Sequence, residues 1–333
     1  MMSGEITALA SEHPYHLEES MSRHVIIGAG PVGATTAITL AEDGHEVRVV
    51  TRSGSGPQHP GVELVAADAT DVEALVRLAT GAAALYNCAN PPYHRWLDDW
   101  PPLWAGITGA AERTGAVLVS MSNLYGYGPV DHPMRETDPL LATNVKGPVR
   151  AGQWTDALAH HEAGRLRATE ARASDFFGPG VRNSHLGERF VSPALAGRTV
   201  RVIGDPDQPH SWTYMPDVAR TLAVLGTDER AWGRPWHVPT APPIPQREAL
   251  TRMAERAGAS PPKVAPMPGW LLRALGVVSP ELREIRELVY QFERPFVVDS
   301  SAFTAEFGIE PTPLETSLPA TADWWLAEER RAA

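Results

Sequence analysis

Gly28, Gly30 and Gly33 follow the apolar residues Val25, Ile26 and Ile27 and precede a helical pattern, and a second alternating run ends at Arg52. Glycines at these three places allow a tight bend, close approach of the backbone to a pyrophosphate, and close packing of a helix on a strand. The turn then presents free amide groups at the positive end of a helix dipole, which is chemistry for an anion. The spacing predicts a dinucleotide site formed by Gly28, Gly30, Pro31, Val32 and Gly33. The end of the second strand selects the cofactor. There Thr51, Arg52 and Ser53 replace the acidic residue that would take the ribose hydroxyls of NAD. Arg52 suits a 2′-phosphate, so NADP is the expected cofactor and NAD the second choice.

These residues need alternating strands and helices to hold them. Residues 24–52 read as strand, tight turn, helix and strand. Val62–Ala66 reads as a third strand, after which Asp68, Thr70 and Asp71 open a helix running to about Thr80. Asp68, at the end of the third strand, is a candidate to reach the adenine. Residues 83–88 form a fourth strand with Asn87 near its end as a further cofactor candidate. Residues 116–120 form a fifth, followed by SMSNLYGYGP. The aromatics of PPYHRWLDDWPP, between these two strands, are assigned to packing. The alternation predicts an α/β fold: a Rossmann-type doubly wound parallel sheet with a smaller mixed C-terminal substrate domain. The divisions are a flexible extension over residues 1–21, a dinucleotide-binding domain over 22–180, and 181–333 as mostly substrate domain with segments returning to the sheet.

The chain has 333 residues with a net charge of -11, 43% hydrophobic and 21% charged, values that fit a globular protein with a proper core. The negative balance argues against nucleic acid or an anionic membrane as a general partner, since both call for cationic surfaces. Cys88 is the single cysteine, so no intrachain disulfide is possible and a reducing, cytoplasmic setting fits. It reads as a small buried strand residue rather than a nucleophile. The first twenty residues lack the basic start and apolar centre of a signal peptide, and no run approaches the roughly 20 apolar residues that span a bilayer. No metal-ligand spacing, phosphate-binding loop of the P-loop type, nucleophile elbow or internal repeat is visible.

Several motifs in order carry a resemblance. They are the glycine turn, Asp68, Tyr125-Gly126 or Tyr127-Gly128 after strand five, RASDFFGP from Arg172 to Pro179, TYMPDVA with Tyr214 and Asp217, and PTPLETSLPATADWW. Over roughly residues 22–328 the chain resembles the extended short-chain dehydrogenase/reductases, the NAD-dependent epimerase/dehydratase family. The resemblance implies hydride transfer to or from a nicotinamide. It also implies a hydroxyl residue after strand five, and a tyrosine with a lysine four residues later on the next helix. Counting back from Arg172, the tyrosine position falls on Lys146 and the lysine position on Arg150. Ser122 becomes the candidate for orienting the substrate, Tyr125 an alternative source of a hydroxyl, and Arg150 and Ser174 cofactor contacts. Lys146, which with Lys263 makes up the chain's lysines, has two readings. It exchanges the proton itself, its pKa lowered by Arg150 and burial, or both residues line a solvated helix turn.

Beyond residue 180 the pattern gives a helix over 187–196 bent at Pro193, a strand over 199–203, and a helix from Pro216. A one-sided helix over 246–257 follows, then a lid or crossing segment over 261–280, a helix over 280–292, a strand over 296–298, and a closing helix over 314–327 with Trp324 and Trp325 inward. Nucleotide-sugar members of the resembled family place an arginine shortly before the tyrosine of this region. Here stand Gln208, Pro209, His210 and Ser211, and His210 reads as a surface-loop histidine, with a place facing the cleft as the alternative. The expected function is an NAD(P)-dependent oxidoreductase or epimerase-type enzyme acting on a small carbonyl or alcohol without a nucleotide diphosphate, with Lys146 in place of the tyrosine. The rivals are a non-catalytic NADP-binding redox sensor and a nucleotide-sugar epimerase/dehydratase. A homodimer is implied by the resemblance alone.

Overall fold

The computed structural model describes residues 21–268 and 286–332. Residues 1–20 of the predicted extension, the first part of the helix over 280–292 and the later part of the crossing segment lie outside the described residues. In chain order the first half contains β1 (Arg23–Ile27), α1 (Pro31–Glu42), β2 (Glu46–Thr51), β3 (Val62–Ala66) and α2 (Val72–Ala79). It continues with β4 (Ala82–Asn87), α3 (Trp96–Thr114), β5 (Val117–Asn123), α4 (Lys146–Glu162) and β6 (Ala168–Ala173). Then come β7 (Asp175–Phe177), α5 (Glu188–Leu195), β8 (Val200–Val202), β9 (Pro209–His210), β10 (Trp212–Tyr214), α6 (Met215–Thr227) and β11 (Pro235–His237).

Seven strands form one parallel sheet in the order β11-β6-β5-β4-β1-β2-β3. The central strands β1, β4 and β5 are largely buried along their length, as expected for a parallel sheet covered by helices on both faces. Val25 and Ile26 are completely buried, and each such side chain stabilises the fold by about 1.5–3 kcal/mol. Strand order reverses between β1 and β4, where Ile27 pairs with Val50 on one side and Asn87 on the other. A crevice at the carboxyl ends of the strands is expected at such a reversal, and ligands bind there in open α/β sheets.

Local sequence sets the element ends. Pro31 occupies the first turn of α1, where no intrahelical donor is lost. Asp71 caps α2 by accepting a bond from the Ala74 amide. A second core, built around Phe177, Leu186, Phe190, Trp212 and Leu250, lies under α5 and the helices Gln246–Arg256 and Leu314–Ala332. Trp325 is buried in it, as the closing pattern predicts. Residues 296–298 do not form the expected strand. They make isolated bridges, Met134 to Val298 and His210 to Phe296, because Pro295 has no amide hydrogen to extend the ladder. No helix among the described residues is long and apolar enough to cross a membrane.

Candidate active site

The glycine turn folds as its spacing requires. Gly28 adopts φ +96°, a conformation that side chains disfavour. A Cβ on Gly33 would lie 2.0 Å from the Gly28 carbonyl oxygen, so helix and turn meet only without one. A Cβ on Gly30 would meet nothing within 4 Å, which leaves open the side on which a pyrophosphate is expected. Val32, on the first turn of α1, lines a cavity of about 710 Å³ at the point where strand order reverses. From there the cavity passes Cys88, Ala89 and Asn90 after β4, and Ser122 and Tyr125 after β5. It reaches Ser174 and Asp175 after β6, and then Arg182, His185 and Arg189.

Ser122, Tyr125, Arg150 and Ser174 are therefore brought together on one cavity wall. Ser122 is buried, and its hydroxyl lies close enough to Glu170 to help hold that carboxyl down. Burial pushes the Glu170 carboxyl up, against the opposing pull of Arg172, which pairs with it at 2.7 Å. Arg172 also donates to the Tyr127 hydroxyl, which lies 2.7 Å from His237 Nε2. The Tyr125 hydroxyl sits 2.7 Å from that of Tyr93. Burial first, and the neighbouring Tyr93 second, raise its pKa well above the usual phenol range. The Arg150 guanidinium is held between the rings of Trp96 and Trp100, 4.8 and 4.7 Å from their centroids. It donates to Asn90 Oδ1 at 3.1 Å, while its Nε has no partner among the described residues. Ser174 Oγ is likewise buried and unpartnered. Unsatisfied buried polar atoms on a cavity wall are costly unless a ligand or water meets them.

The remaining predicted residues stand elsewhere. Asn87 is fully buried and turns its amide to Ser120 Oγ at 3.2 Å, so it is not part of the cavity wall formed by the described residues. Arg52 and Asp68 lie exposed at the end of β2 and after β3. The Asp68 carboxylate accepts from the Thr70 amide and hydroxyl, each at 2.9 Å, and these bonds hold its pKa below the usual range, with attraction to Arg52 a smaller cause. Lys146 is 0% exposed at the start of α4, with Nζ 2.5 Å from Glu287 Oε1 and 5.4 Å from the Tyr93 ring centroid. Arg150 is buried as well, so the reading of a solvated helix turn fails for both. Cys88 keeps its proton, since burial pushes the thiol up to about 12.

His210 corrects the surface-loop expectation. Its side chain is 3% exposed, with Nε2 2.8 Å from Asp175 Oδ2 and the ring stacked on Phe292. Burial pushes the Asp175 carboxyl up, but the His210 hydrogen bond and the charges of His210 and His185 prevail, leaving it below the usual range. Asp175, His185, Arg182 and Arg189 were not singled out from sequence. The available signals were a lone carboxylate in the otherwise apolar DFF, and two arginines in a segment that also carries Asn183 and Ser184.

The model of the NAD dependent epimerase/dehydratase family matches residues 25–236. The chain is 28% identical to the dTDP-glucose 4,6-dehydratase of Streptomyces griseus over 228 residues, which make up 66% of this chain and 62% of that enzyme's length. Among solved structures it is similar to dTDP-glucose 4,6-dehydratase from Bacillus anthracis in complex with NAD, with a TM-score of 0.76, 16% identity, and coverage of 93% of this chain and 98% of that one. It is also similar to UDP-N-acetylglucosamine 4-epimerase from Methanobrevibacter ruminantium in complex with UDP-N-acetylmuramic acid, with a TM-score of 0.75, 15% identity, and coverage of 92% and 99%. The expectation of a substrate without a nucleotide diphosphate is overturned by these nucleotide-sugar relatives. Arg182 and Arg189 line the cavity from a segment outside Gln208–Ser211.

Proposed function

The chain belongs to the NAD dependent epimerase/dehydratase family, a family of enzymes, and from that premise we propose that it binds NAD and modifies a sugar activated with a nucleoside diphosphate. One observation carries the reading: a single cavity runs from the glycine turn to Arg182 and Arg189, joining a place for a dinucleotide to a place for a diphosphate. Gly28, Gly30 and Gly33 would admit the pyrophosphate to the start of α1, while Arg150 and Ser174 offer unmet polar atoms toward the rest of the cofactor. The cofactor, when bound, supplies the oxidant or reductant for hydride transfer at a sugar carbon. The chain's own residues bind, orient and exclude water. Ser122, backed by Glu170, is placed to orient a substrate oxygen, and Tyr125 offers a hydroxyl that burial keeps protonated.

NAD is favoured over NADP by the surroundings of Arg52. Asp68 and Asp99 both lie near enough to attract it, and their negative charges oppose a 2′-phosphate. The B. anthracis enzyme of like fold is described in complex with NAD. Arginine is the side chain suited to bidentate capture of phosphate, and Arg189 makes no ion pair among the described residues. Calorimetric titration with NAD, dTDP and UDP tests the reading. Arg189→Ala should weaken nucleoside diphosphate binding at least tenfold, about 1.4 kcal/mol, and leave NAD affinity within twofold. Equal diphosphate affinity in the variant and the wild type would remove the assignment.

A further inference from the structure

The two ring nitrogens of His210 face oxygen atoms. Nδ1 lies 3.2 Å from the Gln291 backbone carbonyl, and Nε2 lies 2.8 Å from Asp175 Oδ2. The ring is fixed by stacking, 4.9 Å from Phe292 at 8° and 5.3 Å from Phe296 at 27°, with Trp212 at 4.2 Å. A carbonyl only accepts hydrogen bonds, so Nδ1 must carry a hydrogen. A neutral ring would then turn the bare lone pair of Nε2 toward the lone pairs of a carboxylate. One further proton must sit between them. Asp175 retains 19% side-chain exposure and stands on the cavity wall, whereas His210 retains 3%. His185 stands on the same wall, its ring 4.0 Å from Phe292 and its Nδ1 without a partner among the described residues.

We infer that His210 is held as a buried imidazolium whose task is to keep Asp175 an ionised carboxylate, and that Asp175 with His185 receives the hydroxyl groups of the sugar. The inference rests on the nucleotide-sugar reading and adds a direction to it. A carboxylate accepts hydrogen bonds from hydroxyls and repels phosphate, so the sugar lies against Asp175 and the diphosphate against Arg182 and Arg189. The cavity offers both kinds of group, with Asp175 as an anionic acceptor and Arg182 and Arg189 as guanidinium donors. Asp175 is thus a specificity-determining residue and His210 a positioning residue acting through it. The other titratable groups that act on Asp175 or are acted on by it are His185, Tyr93, Tyr125 and Tyr290.

Asp175→Asn is the informative variant. The asparagine amide donates to a bare Nε2 while Nδ1 still donates to Gln291, so both hydrogen bonds survive and only the extra proton and the charge are lost. Nitrogen-15 spectra of imidazole-labelled full-length protein should show His210 with both nitrogens protonated in the wild type and a single protonated nitrogen in the variant under the same conditions. In parallel, calorimetry would compare dTDP and UDP with dTDP-glucose and UDP-glucose. Asp175→Asn should lose about tenfold affinity for the sugar-bearing ligands and none for the bare diphosphates. A wild-type His210 with the same single protonated nitrogen as the variant overturns the inference, as does an equal change, or no change, in both ligand classes. A wild type that binds none of the four nucleotides overturns the nucleotide-sugar reading itself and, with it, the assignment of Asp175 to a sugar.

Discussion

Two buried histidines, His24 at the amino end of the sheet and His210 at the cavity on its carboxyl side, show how partner chemistry decides what burial does. His24 has hydroxyls for neighbours, Ser22 Oγ at 2.8 Å and the Tyr86 hydroxyl at 3.1 Å, with the His45 ring 4.7 Å away. A hydroxyl can donate or accept, so a neutral ring is satisfied there. Burial, reinforced by His45, lowers the His24 pKa to about 4. His210 is as closely packed but meets a carbonyl and a carboxylate, which only accept, and such partners demand the extra proton. The first region is a closed polar cluster with a structural role. The second opens on a cavity and keeps Arg150 Nε, Ser174 Oγ and His185 Nδ1 without partners among the described residues at its wall.

The largest test of that contrast removes a charge from the carboxyl side. Arg172→Met leaves Glu170 buried beneath Ser122 without its 2.7 Å partner. Breaking such a pair costs about 3–5 kcal/mol, trimmed here by Arg150, which also acts on Glu170. Urea unfolding should show the loss, and Glu170→Leu added to Arg172→Met should recover most of it. If the single variant were as stable as the wild type, the carboxyl edge would tolerate unpaired charge and the contrast would fail.

The glycine turn gives the next largest effect. Gly33→Ala puts a Cβ 2.0 Å from the Gly28 carbonyl oxygen, and forcing that contact apart costs about 3 kcal/mol. Gly30→Ala meets nothing within 4 Å and should leave the melting temperature unchanged. It should nevertheless weaken NAD binding at least tenfold, because its methyl occupies the side kept clear for the pyrophosphate. Thermal unfolding and NAD titration separate the two. Equal NAD affinity in Gly30→Ala and the wild type would move the dinucleotide away from this turn.

At the amino edge the expected effect depends on pH. The folded-state pKa of His24 is depressed from 6.5 to about 4, so the unfolded chain takes up a proton first as pH falls. The stability is fully present above about 6.5 and is lost progressively down to about 4. At pH 5 the loss amounts to about 2 kcal/mol relative to pH 7. Urea unfolding at the two pH values, repeated with His24→Gln, should show that part of the acid sensitivity disappearing in the variant. An identical pH dependence in both proteins would mean that His24 is protonated in the folded state and that its hydroxyl partners do not keep it neutral.

What was legible in the sequence follows the reach of each interaction along the chain. Gly28, Gly30 and Gly33 lie within six residues of one another, and Asp71 caps a helix three residues away, so local spacing sufficed. The sheet was legible because its apolar strands alternate with helices. The far wall was not. His210 meets Asp175 35 residues away and Gln291 81 residues away, and its immediate neighbours, Gln208 and Pro209, suggest a solvated loop. Lys146 was read beside Arg150 on its own helix, yet it is paired with Glu287 141 residues on. Arg182 and Arg189 line the cavity from a segment well before Tyr214, and no local pattern ties them to it.

The smallest expected effect concerns Arg52, the residue on which local reading went furthest. Its guanidinium is exposed, and both Asp68 and Asp99 attract it. An exposed cation near two carboxylates contributes little to a neutral ribose, and surface ion pairs of this kind contribute about 0–1 kcal/mol. Arg52→Ala should therefore change NAD affinity by less than twofold. A 2′-phosphate would depend on the same guanidinium, so NADP, bound more weakly than NAD in the wild type, should weaken further by about three- to tenfold in the variant. Titration of both cofactors into both proteins decides the point. NADP binding tighter than NAD, and lost selectively with Arg52, would restore the reading that the end of β2 selects a phosphate. It would also show that the carboxylates around Arg52 orient it rather than neutralise it.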